Sequence, residues 1–314
     1  MSDRRNVRAR AASGALPLVI AHRGGAGEAP ENTMAAVHTA LDASADLLWL
    51  SVQFSADRVP VLHRPSRLEE LTDGTGTVGE HTARTLTRLD AAHHFRHPNG
   101  TVPYPPHDPL TALPTLEAAL CALPPYLPVV LDLKSPARPA PAGGPPPLTA
   151  LLDRLAGEGV PTWSRILFYS TRDADLHALR AHPDARTFEP RGTTRTRLLR
   201  ARLSGGFPHP PAPGTWAGFE LRRDLTVGEC CALGPCSSKV PDAMLWNRSA
   251  VDGFHELPDV TVVFFGIDTR EDFATAAALG ADAVLTDVPA AMAAYRSALA
   301  ASPARGSAPT GAVR

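Results

Sequence analysis

The sequence has few cysteines, and their spacing does not favour a metal centre. The 314 residues include four of them, Cys121, Cys230, Cys231 and Cys236. Structural zinc sites usually take their ligands from two closely spaced pairs, and this arrangement lacks such pairs. We therefore expect Cys230, Cys231 and Cys236 to pack against other side chains rather than to bind a metal or form a disulfide.

An excess of charge of one sign and long apolar runs are also missing. The formal net charge is -1, which argues against nucleic acid or a membrane surface as a mainly electrostatic partner. Near the start lie Arg4, Arg5, Arg8 and Arg10, but no apolar stretch follows that would make a secretory signal or a membrane anchor. We expect a cytoplasmic protein without a membrane span.

Internal repeats of solenoid length are absent, and strand-like and helix-like segments alternate instead. Apolar runs typical of strands occur at 17–21, 46–54, 59–63, 129–134, 165–170, 186–188, 216–221, 243–246, 260–266 and 283–285. Helical patterns occur at 31–41, 116–123, 174–181, 271–279 and 289–299. Repeated strand–helix units predict an α/β fold with a parallel sheet.

A single large domain is the expected organisation, because 44% of the residues are hydrophobic and a (β/α)₈ barrel commonly needs about 250 residues. We assign a basic flexible tail to residues 1–16, the domain to residues 17–299 and a disordered tail to residues 300–314. A Pro-rich loop at 135–147 interrupts the domain. The polar segment 65–114 is a loop-rich excursion of a length that is unusual unless functional.

The first apolar run ends in an ionisable pair, His22 and Arg23, followed by two glycines. Parallel α/β sheets bind ligands at the carboxyl ends of their strands, so this pair marks a candidate site. An imidazole can exchange a proton near neutral pH, and a guanidinium can hold a phosphate through paired hydrogen bonds. Taken alone, the two residues are equally compatible with a structural histidine and a solvent-facing arginine.

The second run alternates, which predicts a strand with two distinct faces. Trp49, Ser51 and Gln53 share one face, and Leu48, Leu50, Val52 and Phe54 share the other. Trp49 and Ser51 therefore point to the side on which a barrel carries its site residues.

Seven short motifs occur in order between Leu18 and Tyr295, and together they resemble the glycerophosphodiester phosphodiesterase family. The motifs are Ala21–Gly24, Pro30–Thr33, Asp57–Val61, Thr72–Gly76, Leu113–Glu117, Asp132–Lys134 and Gly280–Pro289. The resemblance implies a (β/α)₈ TIM barrel of the phosphodiesterase type. It also implies hydrolysis of glycerophosphodiesters to glycerol 3-phosphate and an alcohol.

The resemblance further implies a divalent cation, Ca²⁺ or Mg²⁺, held by three carboxylates, with two histidines on either side of the phosphodiester. Carried onto this sequence, His22 is the first catalytic histidine and Arg23 a phosphate ligand. Asp132 takes the place of the third, usually glutamate, carboxylate, and Lys134 lies near the phosphate.

Three positions that carry the family's chemistry differ in an ungapped alignment. Trp49 and Ser51 occupy the places of the other two carboxylates, and Arg64 occupies the place of the second histidine. His63 lies one residue earlier, and a shift of one residue on a strand points a side chain to the opposite face. Only a β-bulge would bring His63 into the site.

These replacements leave Arg23, Arg64 and Lys134 against Asp132, a positive balance that suits a phosphate or another anion. Loss of a general acid or base commonly lowers a rate by about 10²- to 10⁴-fold, and an arginine cannot transfer protons at neutral pH. Other strand-end acids are candidates for a rebuilt metal site, although such acids more often lie at the surface. They are Glu189, Glu220, Asp268 and Asp287.

Two principal hypotheses follow. The first is a phosphodiesterase of the family that acts on a small-molecule glycerophosphodiester, and the second is a non-catalytic barrel that binds a phosphate-containing or other anionic ligand. Altered chemistry on the same scaffold is a third. Drift after loss of function, with Trp49 filling the space of the cation, is the plainer alternative to anion binding. Phe265 stands where the family has a late tryptophan, and it removes an indole donor.

Overall fold

A parallel sheet is the framework of the molecule. The computed structural model describes residues 16–134, 146–204, 206–207, 209–231 and 234–301. Its strands are β1 (Leu18–His22), β2 (Leu47–Phe54), β3 (Pro60–Leu62), β4 (Val129–Leu133), β5 (Ile166–Tyr169), β6 (Trp216–Glu220), β7 (Arg223–Cys231), β8 (Gly234–Ala243), β9 (Thr261–Phe265) and β10 (Ala283–Thr286).

The main sheet runs in the order β5-β4-β2-β1-β10-β9-β6, and every pair along this path is parallel. Thr187 forms a parallel bridge with Phe168 of β5, and Phe188 forms one with Trp216 of β6. These two residues take the place of the eighth strand and close the barrel. The predicted (β/α)₈ barrel is confirmed, with the strand expected at 186–188 reduced to two bridging residues.

Helices lie between the strands. They are α1 (Met34–Asp42), α2 (Ala83–Leu86), α3 (Leu116–Ala122), α4 (Pro147–Gly157), α5 (Asp173–Leu179), α6 (Arg191–Ser204), α7 (Arg248–Phe254), α8 (Arg270–Leu279) and α9 (Pro289–Ala301). None of the helices in the described part of the chain combines the length and the apolar character needed to cross a membrane.

Capping chemistry explains where the first helix begins. The Thr33 hydroxyl accepts a hydrogen bond from the amide of Ala36 at 3.2 Å, so α1 begins at Met34 and not at Glu31 as the pattern predicts. The last helix extends to Ala301, two residues into the predicted tail. The remainder of both predicted tails and most of the predicted Pro-rich loop lie outside the described residues.

The barrel has an inner and an outer core. Side chains of alternate strand residues, including Ile20, Trp49, Val130 and Tyr169, fill the interior. The intervening residues, such as Leu48, Leu50 and Val52, pack outward against the helices. The predicted two faces of β2 are therefore confirmed, and Trp49 and Ser51 point into the barrel.

The excursion predicted at 65–114 forms a small core of its own. β3 pairs antiparallel with β2, and two 3₁₀ turns follow at Leu68–Glu70 and Val78–Glu80. Val61 of β3 forms a cluster with apolar side chains of this segment, namely Leu68, Val78, Ala83, Leu86 and Leu113. Burial of these side chains stabilises a segment whose polar composition indicates only loop.

The strand predicted at 243–246 is wrong. Ala243 ends an antiparallel hairpin formed by β7 and β8, while Leu245 and Trp246 are buried against the outer core without strand pairing. The indole N–H of Trp246 donates to the carbonyl of Phe219 at 3.1 Å, which satisfies its polar group in the core.

Two of the cysteines lie at the surface. Cys236 on β8 is exposed, and the expectation that it packs against other side chains stays a prediction. Cys121 is also exposed. The side chains of Cys230 and Cys231 lie outside the described residues.

Candidate functional site

The candidate site lies at the carboxyl ends of the barrel strands. His22 is the last residue of β1 and pairs in register with Trp49 on β2. Ser51 pairs in register with Asp132 on β4. Because adjacent strands are about 4.8 Å apart and these residues face inward, four of the predicted site positions come together at one mouth.

Glycine is required beside the histidine. Gly24 has φ +82°, and a Cβ there would lie 2.8 Å from the Cβ of Ala36. Arg23 itself has φ 55°, an uncommon left-handed conformation for an arginine. The two residues turn the chain sharply, and this turn directs the Arg23 side chain across the mouth.

Asp287 orients both basic residues of the first strand. The ring nitrogen Nδ1 of His22 lies 2.8 Å from Oδ1 of Asp287, which leaves Nε2 for a ligand. Arg23 donates to the same carboxylate at 3.2 and 3.3 Å. Burial raises the pKa of Asp287, but the hydrogen bonds and charges of His22 and Arg23 outweigh it and hold that pKa below its usual value.

Glu31 is a member of the site that the sequence reasoning missed. Its carboxylate forms an ion pair with Arg23, and only a tenth of its side chain is exposed. Burial raises the pKa of Glu31, and the nearby charges of Arg23 and Arg64 offset this only in part. The residue belongs to the Pro30–Thr33 motif, so its presence there was the signal that could have identified it.

The inferred cation position is filled by an indole and an ammonium. Trp49 donates its indole N–H to Oδ2 of Asp132 at 3.2 Å, and Nζ of Lys134 lies 2.6 Å from the same oxygen. The Trp49 ring packs against Tyr169 and Phe265 with centroids 4.8 and 5.4 Å away. The single carboxylate is therefore already neutralised by a side chain.

This arrangement does not fit the divalent cation that the resemblance implies. Ca²⁺ requires about six to eight oxygen ligands, and Mg²⁺ is usually bound through one or two carboxylates and substrate phosphate. Here Asp132 shares the position with two N–H donors from Trp49 and Lys134, which repel a cation. Among the described residues no group of three His, Cys, Asp or Glu could hold a metal.

Several buried polar atoms around the site have no hydrogen-bond partner among the described residues. They are Arg23 Nε, Glu31 Oε1, Asn32 Nδ2, Ser51 Oγ and Asp132 Oδ1. Leaving such an atom unpaired commonly costs about 1–3 kcal/mol, so a cluster of them indicates a place that a ligand or ordered water completes.

His63 does not join the site. It is buried on the other side of the segment, with the backbone of Arg67 and the charge of Glu70 as its electrostatic neighbours. Burial lowers the pKa of His63 to about 4, so the ring is neutral at physiological pH. The register between β2 and β3 continues without a bulge, in agreement with the ungapped alignment.

Arg64 is exposed at the mouth of the barrel. The side-chain amide of Gln53 donates to the carbonyls of His63 and Pro65 at 3.2 and 2.6 Å and so holds the chain on either side of Arg64. The positive charge of Arg64 lowers the pKa of the Glu31 carboxyl and so opposes part of the rise that burial causes. Arg64 therefore lies near enough to contribute to the field of the site.

The net positive charge expected for the pocket is wrong, because Glu31 and Asp287 also lie in the site. Arg23 faces Glu31 and Asp287, and Lys134 faces Asp132. Among the described residues, no carboxylate forms an ion pair with Arg64. The site is close to neutral, and its charges are arranged in pairs except for that of Arg64.

The other strand-end acids do not rebuild a metal centre. Glu189 is bound by Arg197 and Thr194, Glu220 by Arg191 and Arg223, and Asp268 by Thr286 and the amide of Asp287. Of the four candidates, Asp287 alone contacts His22. Phe265 packs against Trp49 as an apolar wall, in line with the expected loss of an indole donor.

A family model and two relatives with similar sequences match this chain. The model of the glycerophosphoryl diester phosphodiesterase family matches residues 22–140. Uncharacterized protein Rv2277c of Mycobacterium tuberculosis is 39% identical over 282 residues, 89% of this chain and 90% of that protein. Putative glycerophosphodiester phosphodiesterase YhdW of Bacillus subtilis is 36% identical over 116 residues, 37% of this chain and 44% of that protein.

Solved structures agree with these relatives. The glycerophosphoryl diester phosphodiesterase domain of Rv2277c is similar with a TM-score of 0.78 and 37% identity, over 90% of this chain and 99% of that chain. An Oleispira antarctica phosphodiesterase, solved with its product sn-glycerol-3-phosphate, shares the fold with a TM-score of 0.59 and 22% identity, over 91% of this chain and 98% of that chain. This chain therefore belongs to the glycerophosphoryl diester phosphodiesterase family.

Proposed function

We propose that this protein binds a small phosphate ester of the glycerophosphodiester type at the barrel mouth without a divalent cation, and that it has lost efficient hydrolysis. One observation carries the proposal. The only family carboxylate that remains, Asp132, is bound by Lys134 and Trp49 through the same oxygen. The position that a cation would neutralise is already neutralised by the chain itself.

The remaining basic groups support binding of a phosphate. The Lys134 ammonium has three N–H donors, and the contact with Asp132 uses one of them. About a quarter of the Lys134 side chain is exposed, so its other donors can reach a ligand. Arg64 supplies a second exposed cation at the same mouth. Charge-assisted hydrogen bonds from such groups to phosphate are roughly twice as strong as neutral ones.

The unpaired buried atoms support an ester that carries hydroxyl groups. A hydroxyl both donates and accepts, so it can bond to Asn32 Nδ2 and to Asp132 Oδ1, both of which are buried and unpaired among the described residues. The hydroxyl of Ser51 is the third group of this set. The Oleispira antarctica relative of the same fold was solved with sn-glycerol-3-phosphate, a ligand of this chemistry.

A second candidate function, slow phosphodiester hydrolysis, is favoured by the His22–Asp287 pair. Asp287 accepts from Nδ1 of His22 and thereby orients the ring with Nε2 toward the mouth, as a general acid requires. His63 cannot serve as its partner base, because it faces the Arg67–Glu70 segment. Without that partner we expect a rate about 10²- to 10⁴-fold below that of a complete site.

Calorimetric titration with sn-glycerol-3-phosphate in the presence of EDTA tests the proposal. We expect binding of one ligand per chain, a large loss on Lys134→Ala, and a smaller loss on Arg64→Ala. Arg88→Ala is the matched control, because Arg88 is also exposed but lies in the turn after α2. Absence of binding in EDTA, or equal binding by all variants, would leave drift as the better account.

A hydrolysis assay separates the two candidates. The protein is incubated with glycerophosphocholine, and separately with bis-p-nitrophenyl phosphate, each with Ca²⁺ or Mg²⁺. We expect no metal-dependent release of product above background. Metal-dependent release that is abolished by His22→Ala would establish the hydrolase instead.

A further inference from the structure

A cavity lies at the opposite end of the barrel from the candidate site at the carboxyl ends of the strands, which we call the family site. It has a volume of about 1060 Å³ and is lined where strands begin, by residues that include Leu18, Leu47, Leu167 and Trp216. None of the residues placed in the site at the mouth contributes to it. Small-molecule sites commonly occupy about 300–1,000 Å³, so this space is large enough for an organic ligand.

The base of the cavity is apolar. Leu18, Leu47 and Leu167 are at most 7% exposed and form the lowest layer of the inner core. Trp216 is half-buried beside them and packs edge-to-face on Phe188 with centroids 5.7 Å apart. The leucines themselves expose little surface, so an apolar body here would remove from water mainly its own surface and the exposed part of Trp216.

Most charges on the cavity wall are already compensated. Three acids of the wall are paired with basic side chains: Glu189 with Arg197, Asp282 with His255, and Asp46 with Arg296. In addition, Asp282 accepts a hydrogen bond from the amide of Val262 at 2.7 Å, and Glu189 accepts one from the hydroxyl of Thr194 at 2.8 Å.

Arg180 is a charged residue of the cavity wall that neutral groups hold in place. Its Nε donates to the hydroxyl of Thr187 at 2.9 Å, and its NH2 donates to the carbonyl of Phe188 at 3.2 Å. No carboxylate of the described residues forms an ion pair with it. Two of its five N–H donors are used for orientation, and the others, with the charge, remain for a ligand. Arg186 lies on the same wall and donates to the carbonyl of Ser164 at 2.7 Å.

We propose that this cavity is a second ligand site, which binds an organic anion with an apolar body against Trp216 and the leucine layer and a carboxylate or phosphate on Arg180. Binding sites of TIM-barrel enzymes lie at the other end, where strands finish, whereas the end where strands begin usually serves stability. The proposal does not depend on the function of the family site, since the two share no lining residue.

Calorimetry on the full chain tests the site with three probes of similar apolar length: octanoate, octyl phosphate and octyltrimethylammonium. We expect both anions to bind once per chain and the cation not to bind. The ratio of the two anion affinities tells whether a carboxylate or a phosphate is the better head group. Arg180→Gln should weaken both anions about ten-fold, because it removes one charge-assisted contact.

Two further variants and one competition keep the test decisive. Ala212→Trp adds bulk from an exposed lining position and should block both anions, while Arg88→Gln, away from the cavity, should leave them unchanged. Saturating sn-glycerol-3-phosphate should not displace octanoate. Equal binding of the cation, unchanged affinity in both Arg180→Gln and Ala212→Trp, or displacement by sn-glycerol-3-phosphate would each overturn the proposal.

Discussion

The ends of β1 and β2 lie side by side, yet they differ in chemistry. At the end of β1, His22 and Arg23 share the carboxylate of Asp287. On β2, Trp49 and Ser51, which the ungapped alignment places at two metal carboxylates of the family, are fully buried. The end of β1 therefore carries charged groups, whereas these two β2 side chains are part of the barrel interior.

The replacements on β2 are physically consistent with each other. Carboxylates at both positions would repel Asp132 in a low-dielectric interior unless a cation lay between them. An indole at position 49 removes one of these charges and donates a hydrogen bond to Asp132. The remaining charge of Asp132 is then offset by Lys134, which lies 2.6 Å away. The charge of Asp132 is therefore balanced by groups of the chain itself.

The variant with the largest expected effect introduces acidic side chains on β2. The triple variant Trp49→Glu, Ser51→Asp, Arg64→His restores two carboxylates and one imidazole. We expect Ca²⁺- or Mg²⁺-dependent hydrolysis of glycerophosphocholine at least about 10²-fold above the native protein, because a general acid–base group and a metal are regained. Release of glycerol 3-phosphate measures it.

Two controls accompany the triple variant. Adding His22→Ala should remove the gained activity, and the double variant Trp49→Glu, Ser51→Asp should respond to Ca²⁺ by a rise in Tm with little hydrolysis. A folded triple variant with neither a Ca²⁺-dependent Tm nor any gain in rate would show that the two ends are not complementary halves of one site.

Removing the indole tests whether β2 has joined the core. Trp49→Ala should lower the free energy of unfolding by about 3–5 kcal/mol, the range for large buried aromatic residues, because it leaves a cavity among Tyr169, Phe188 and Phe265. Urea unfolding measures it. Trp163→Ala is the comparison, since Trp163 is only half-buried and should cost less. A loss for Trp49→Ala no greater than for Trp163→Ala would contradict the core assignment.

The pH dependence of stability tests the position of His63. A histidine in the unfolded chain takes up its proton near pH 6.5, whereas burial lowers the pKa of His63 in the folded chain to about 4. The unfolded chain therefore binds more protons between these values, and stability is lost as pH falls from about 6.5 to about 4, by about 3 kcal/mol at most.

His63→Leu should remove this loss, measured as the difference in unfolding free energy between pH 7 and pH 4.5. His38→Gln is the control, because His38 is exposed and should leave the pH dependence unchanged. An identical pH dependence in the native protein and in His63→Leu would mean that His63 is not the buried neutral histidine described above.

The smallest effect concerns the end of β1. Asp287 has a pKa below its usual value, so its charge stabilises the fold above about pH 4 and this contribution is lost as pH falls through the folded pKa. Asp287→Asn should destabilise the protein by about 1–2 kcal/mol at pH 7, a figure reduced because a third of the side chain is exposed. The difference should shrink as pH falls through the folded pKa of Asp287.

Asp252→Asn is the matched surface control. Asp252 pairs with Arg248 four residues away with more than half of its side chain exposed, so its loss should cost less than about 0.5 kcal/mol. Chemical unfolding of both variants at pH 7 and pH 2 provides the comparison. An Asp287→Asn effect equal to that of Asp252→Asn would argue that His22 is not held by this carboxylate.

Local pattern predicts the strands well but not what accompanies them. The apolar runs at β1, β2, β4, β9 and β10 are short and buried on both faces of the sheet. Such continuous apolar runs are typical of parallel strands and can be recognised from a few adjacent residues. The stretch 243–246 has the same apolar character, yet it packs as irregular chain. Strand pairing depends on a partner distant in sequence, which an apolar run alone does not specify.

The site shows the same division. His22, Trp49, Ser51 and Asp132 are predicted to share one site from strand alternation and motif order, and the strand register places them close together. The predicted charge balance is wrong because Glu31 and Asp287 were left out, and Asp287 lies 265 residues from the histidine it orients. Separation of that size leaves no local pattern to detect.

The sequence by itself determined the barrel, the family motifs and the presence of Trp49, Ser51 and Arg64 where the resemblance implies two carboxylates and one histidine, because these depend on residue identity and on periods of two or a few residues. The tertiary structure decided which groups pair: His22 and Arg23 with Asp287, Arg23 with Glu31, and Lys134 and Trp49 with Asp132. It also decided that Arg180 faces a cavity without an acidic partner in the described chain. Ion pairs act over a few ångströms in space, and only folding brings residues that are distant in sequence within that reach.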